Sequence, residues 1–173
     1  MTIGKKIAGG FGIALASVAI LVGLSYWSIQ DLLETNRIVA RIYEASESLE
    51  TTYSLLKDVA TGHRGFLLAE DKQFLQPYDD ALPELAKARK QLDILIEDPN
   101  QQQRLSELDA LIKLRLDFIR ENLEIAKSTE KGKGFAAAIA IIKSGKGEDQ
   151  MVNVRKKVNE IESAEMKLLN DRQ

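Results

Sequence analysis

From Ile7 to Gln30 the chain carries no charged side chain, and beyond that stretch the pattern changes to apolar residues spaced three and four apart. At about 1.5 Å of rise per residue the uncharged stretch reaches about 36 Å, enough to cross a hydrocarbon core about 30 Å thick. It predicts a transmembrane helix over residues 7–30. The spaced pattern takes over without a gap: Leu32, Asn36, Val39, Ile42, Ser46, Leu49, Tyr53, Leu56, Ala60, His63 and Leu67 fall on one helical seam of the a/d type. No proline precedes Pro77 and no glycine lies between Gly23 and Gly62, so nothing stops the membrane helix at the surface. It is expected to run on to a break near Glu70 and Asp71.

Three further main helical runs follow, with a short one between the last two. Residues 72–97 carry Phe74, Leu82, Leu85, Leu92 and Ile96 toward a core, with Pro77 and Pro83 predicting a kink or split in the first half. Asp98-Pro99 reads as a helix start, because aspartate accepts orphan amide hydrogens and proline fits the first helical position. The stripe Leu105, Leu108, Ile112, Leu116, Ile119, Leu123 and Ala126 then holds until Gly132 and Gly134. A short helix is predicted over 135–143, ending at Ser144-Gly145, and a last one over about 146–172 that buries Met151, Val154, Val158, Ile161 and Leu168. No strand pattern, low-complexity run or further repeat competes with this reading.

The pattern therefore predicts an all-α chain, an N-terminal transmembrane helix continuing into an antiparallel four-helix bundle. Its parts are a cytoplasmic tail over 1–6, the span over 7–30, and an extracytoplasmic bundle over 31–173. Alternating directions would return the fourth helix and Gln173 toward the bilayer. A second membrane helix would follow naturally, which makes the chain a fragment of a longer receptor or, otherwise, a stand-alone tethered bundle.

Charge sets the orientation. Lys5 and Lys6 stand before the span and favour a cytoplasmic tail, while Tyr26 and Trp27 suit the headgroup zone at the outer end. A cleaved signal peptide is the alternative. Its small-residue site, Ala14-x-Ala16, falls inside the apolar run, and cutting there would leave an apolar terminus. Charged residues make up 29% of the chain, which suits a helical exterior. The net charge is −2, and −4 without Lys5 and Lys6, which speaks against a nucleic-acid partner. The absence of cysteine decides nothing about the compartment.

Catalytic inventories fail. A di-iron bundle needs Glu-x-x-His from two helices, and the chain has one histidine; zinc sites lose their usual ligands for the same reason. Lys143-Ser144-Gly145-Lys146-Gly147 is no phosphate loop, because Ala140 replaces its first glycine and Gly147 its serine or threonine. No enzyme activity, metal or cofactor is expected. The groups able to hold a small polar ligand are Tyr53, His63, Arg64, Tyr78 and Arg115, with Arg104, Arg120 and Arg41 as weaker candidates. His63 falls in the seam and is expected to be neutral, buried and hydrogen-bonded. Arg64 is expected to pair with an acidic neighbour, or else to hold a carboxylate ligand in its planar fork.

Thr61-Gly62-His63-Arg64-Gly65-Phe66-Leu67-Leu68 and Phe74-Leu75-Gln76-Pro77-Tyr78 resemble the CHASE type-three extracellular sensor domain. Asp98-Pro99-Asn100-Gln101, Ser144-Gly145-Lys146-Gly147 with Met151 and Arg155, and Glu162, Glu165, Leu168-Leu169 and Arg172 follow in the same order. His63 stands where glutamine is expected and Val152 where aspartate is. The resemblance covers about Gln30 to Gln173. It implies a bacterial sensor module outside the inner membrane, in a membrane receptor that is expected to be a homodimer and to take a small-molecule ligand or a periplasmic partner protein. The opening Met1 to Ile7, with Gly10-Phe11-Gly12, is similar to that of methyl-accepting chemotaxis proteins. A histidine kinase or nucleotide cyclase is the alternative output, and a dimerising spacer without a ligand is the alternative role.

Overall fold

The structure, a computed structural model, describes residues 3–128 and 133–170. The side chains of residues 5–9, 13, 14, 128 and 170 lie outside the described set, so Lys5 and Lys6 are placed by backbone alone. Gly132 and Gln173, both of which figure in the sequence reading, also lie outside it. In chain order the elements are α1 (Ile3–Ala69), a 3₁₀ turn (Lys72–Leu75), α2 (Gln76–Leu95), α3 (Pro99–Ser128), α4 (Lys133–Lys143) and α5 (Lys146–Asn170). No strand occurs among the described residues. The fold is all-α, and the chain divides into two units, Met1–Ala40 and Arg41–Gln173.

The first unit is the N-terminal part of α1. Its best window has a mean hydropathy of 1.8 and none of it is buried, so the helix is long and apolar enough to cross a membrane. Leu15, Leu21, Val22 and Leu24 are each at least 60% exposed, as are Tyr26 and Trp27. Such a surface is unfavourable in water, and hydrocarbon removes that cost.

The second unit is the bundle, and side-chain pairs fix the direction of its helices. Between α1 and α5, Ser46 Oγ donates to Glu162 Oε1 at 3.0 Å while Arg155 pairs with Glu50, so numbers rise on one helix as they fall on the other. The same holds for α1 and α2, where Arg41 Nη1 meets Glu97 Oε2, just past the end of α2, at 2.7 Å and Gly62 faces Tyr78. On α3 and α5, Arg104 Nε reaches Glu160 Oε1 at 3.2 Å and Arg115 lies against Gly147. Arg89 clamps Asp109 with two nitrogens across α2 and α3, Nη2 to Oδ2 at 2.6 Å. The pairs α1–α5, α1–α2 and α3–α5 are therefore antiparallel, as expected of an up-down bundle with short connections.

Local chemistry explains the boundaries. Glu70 takes a left-handed conformation, φ 54°, which ends α1, and Asp71 accepts from Gln73 N at 2.9 Å to start the 3₁₀ turn. Asp98 accepts from Asn100 N at 2.9 Å and Gln101 N at 3.1 Å, satisfying two orphan amides of α3. Gly145, φ 80°, turns the chain between α4 and α5. Pro77 occupies the first turn of α2, where its missing N–H costs nothing, and Pro83 sits inside without dividing the helix. The division falls earlier instead, between the 3₁₀ turn and α2.

The interior has two apolar clusters. One holds Leu49, Leu56, Leu92, Leu105, Leu108 and Ile161, and the other Val59, Phe66, Leu67, Ile119, Leu123 and Ala138. On α3 they part between Ile112 and Phe118, where Arg115 stands. Several expected core positions differ: Asn36 on the α1 seam is exposed, and Met151 and Leu168 are only half-buried. Phe74 is half-exposed because it sits in the 3₁₀ turn rather than on a helical face, and Leu32 is exposed, burial on α1 setting in only at Ile42.

Candidate functional site

Three of the five candidate residues meet at one place. His63 and Arg64 on α1, Arg115 on α3, and Gly147 with Glu148 in the first turn of α5 line a cavity of about 50 Å³, with Phe118 and Ile142 as its apolar wall. Arg115 occupies a core position, three residues after Ile112 and four before Ile119, and is 4% exposed. Its Nε and Nη1 have no hydrogen-bond partner. A buried guanidinium without a carboxylate is costly, because desolvation penalises the charge and no counter-charge offsets it. The guanidinium is held by packing, with its carbon 5.5 Å from the centre of the Phe118 ring. Lys146 Nζ lies 5.7 Å from the same ring.

Gly147 is what lets the two helices approach here. A methyl group at that position would overlap Arg115 Nη1 and come within 3.2 Å of Phe118 Cε1. The side chain of Arg115 is thereby laid over the start of α5, where amide hydrogens point out of the helix and carry partial positive charge. Burial, followed by the nearby Arg64 charge, pulls the Arg115 pKa down to about 10, so it remains a cation at neutral pH.

His63 is buried, 2% exposed, and neutral, as the seam position predicts. The expected hydrogen bond is missing at Nε2, which has no partner. Burial first, then Arg115 and Arg64, bring its pKa from 6.5 to about 4. Arg64 is exposed and forms no ion pair among the described residues, against the expectation of an acidic partner. Gln150, one turn beyond Gly147 on the same face of α5, is also buried with both amide atoms unpartnered.

The other candidates are elsewhere. Tyr53 lies in a surface ladder between α1 and α5, with the Arg155 guanidinium 5.0 Å and Lys57 Nζ 5.6 Å from its ring centre. Tyr78 packs its backbone on Gly62. Arg104 pairs with Glu160, Arg120 with Asp117 and Arg41 with Glu97, each a link within the chain. Among the described residues no cluster of His, Asp or Glu could hold a metal ion. Gly147 entered the sequence reading only as part of the run over 143–147 and the family-like segment over 144–147, not as a site residue, and Phe118 was not singled out.

The family model of the CHASE3 domain matches residues 35–173. This chain belongs to the CHASE3 family. Members are extracellular sensor domains of signalling receptors, so the CHASE3 bundle described here is a sensory, not a catalytic, fold. No match was found among curated proteins or among solved structures. The cavity lies where the bundle's α1, α3 and α5 come together, and α1 also carries the apolar stretch of the first unit.

One consequence for this CHASE3 bundle is a pH dependence. A folded-state pKa below the unfolded value means that the unfolded chain binds the proton more readily, so stability is full above pH 6.5 and is lost as pH falls toward 4. The loss through His63 should be about 2 kcal/mol between pH 7 and pH 5. Urea unfolding at the two pH values checks this, and His63→Gln should remove that component.

Proposed function

We propose that the chain is the membrane-anchored sensory part of a bacterial receptor of the methyl-accepting chemotaxis type. Residues 1–6 lie in the cytoplasm, 7–30 cross the inner membrane, and 31–173 are periplasmic or extracellular. The receptor works as a homodimer and answers a small-molecule ligand or a periplasmic partner protein. The observation that carries this reading is α1, Ile3–Ala69, a single helix holding both the apolar stretch and His63 of the cavity. A polar-lined cavity favours a sensor over a spacer with a solid apolar interior.

Occupation of the cavity favours one of two packings of α1 against α5. Packed helices move between discrete arrangements, and displacements of about 1–2 Å suffice to carry a signal along a continuous helix. The driving energy is the difference in ligand affinity between the two packings. The chemotaxis reading rests on the opening Met1 to Ile7 with Gly10-Phe11-Gly12.

The chain has no cysteine, so introduced thiols are unambiguous. Glu47→Cys should react with a membrane-impermeant maleimide in intact spheroplasts, while Thr2→Cys should react only after lysis. The reverse pattern would overturn the orientation. Ser46→Cys with Glu162→Cys should form an α1–α5 disulfide whose rate changes when the cavity is occupied. Equal rates with an occupied and an empty cavity would remove the displacement mechanism.

A further inference from the structure

We infer that the cavity between α1, α3 and α5 is a binding site for a compact, singly charged, planar oxyanion, the carboxylate group of a small organic acid or an inorganic ion of the same shape. The inference gives the sensor site proposed above its ligand class. It begins from an imbalance. Arg115 is 96% buried by its 4% exposure, two of its nitrogens have no partner, and among the described residues it meets no carboxylate. Its guanidinium supplies a planar fork of donors, which matches two oxygens on one carbon or nitrogen.

The surroundings favour an anion. Arg64 on α1 adds a second unpaired cation on the cavity wall, and Lys146 Nζ lies 5.7 Å from the ring centre of Phe118, which lines it. The first turn of the 25-residue α5 contributes its amide end at Gly147, the point at which a side chain would have displaced Arg115. Neutral His63 adds Nε2, unpartnered and able to accept or donate a hydrogen bond according to its tautomer.

Size and charge narrow the class. A cavity of about 50 Å³ holds a group of a few heavy atoms, since about 10–15 Å³ on this measure suffices for one water. Glu148, also on the wall, disfavours a second negative charge. A tetrahedral dianion is therefore the poorer fit, both in charge and in its mismatch to a flat fork. Neutralising Arg115 and Arg64 would also ease protonation of His63, whose facing charges are Arg64 from its own helix, Arg115 from α3 and Glu148 from α5. Binding should accordingly tighten as pH falls from 7 toward 5.

The test is the melting of the full 173-residue chain in detergent micelles, followed by far-UV circular dichroism at constant ionic strength set with sodium chloride. Sodium acetate, sodium nitrate and sodium phosphate are the three arms. Acetate or nitrate should raise Tm saturably above chloride, by about 5 °C near saturation, with acetate pointing to an organic-acid source and nitrate to an inorganic one. Arg115→Met should abolish the shift and, in chloride, melt no lower than the parent, because it removes an uncompensated buried charge. Arg64→Gln, at an exposed position where folding is safe, should weaken binding by about tenfold. No shift with either planar anion, a shift with phosphate alone, or an acetate shift unchanged by Arg64→Gln would overturn the inference. Those readouts concern binding only, so a failure here is separate from a failure of the thiol-labelling pattern that tests the membrane topology.

Discussion

Replacing Leu56 by alanine is expected to cost the bundle about 3–5 kcal/mol, most of the stability of a domain of this size. Leu56 is fully buried on α1, in the cluster that also contains Leu49, Leu92, Leu105, Leu108 and Ile161. Three carbons, a methine and two methyl groups, are lost there. The neighbours belong to helices held by their own pairs, Arg89 with Asp109 and Arg104 with Glu160, so they cannot close the space fully. The transfer term and the residual cavity therefore add. Urea titration followed by circular dichroism reads the effect, because the apolar span in detergent stays helical while the bundle unfolds. A midpoint within experimental error of the parent would show that the Leu56 site collapses freely.

Gly62→Val is expected to cost at least about 3 kcal/mol, against the intrinsic preference of a helix for almost any residue over glycine. The preference is worth only about 0.5 kcal/mol for valine. Against it, the Cβ alone would lie 2.6 Å from the backbone nitrogen of Tyr78, 3.0 Å from Tyr78 Cβ and 3.3 Å from the carbonyl oxygen of Phe74. Two of those atoms are main chain and cannot rotate aside, so the start of α2 must move away from α1, and the two γ-methyls enlarge the displacement. Equilibrium unfolding checks the sum. A variant as stable as the parent would mean that the α1–α2 approach is not tight at this point.

Most of the fold was legible because its signals are local and periodic. The α3 stripe from Leu105 to Ala126 is inside, with Leu116 half-buried, and Asp98-Pro99 starts the helix it was expected to start. Phe74 was misjudged since periodicity assumes a helix, and Asp71 imposes a 3₁₀ turn there. For the cavity, the readable part was His63 in the apolar seam of α1 and the donor chemistry of Arg115; that Arg115 is buried beside the stripe of α3 was not readable, because the spacing assigns that turn to Leu116. Their meeting was not readable, as it depends on how α1, α3 and α5 are aligned. Gly147 was unreadable for another reason. Close approach between helices leaves no trace in spacing, and a glycine two residues past a turn looks like part of the turn.

The parting of the interior at Arg115 gives the bundle two separately packed blocks, with Leu55 and Leu116 touching both. Each block should then open on its own threshold, and hydrogen exchange should find the amide protons of α4 and the end of α1 released through a smaller fluctuation than those beside Leu108.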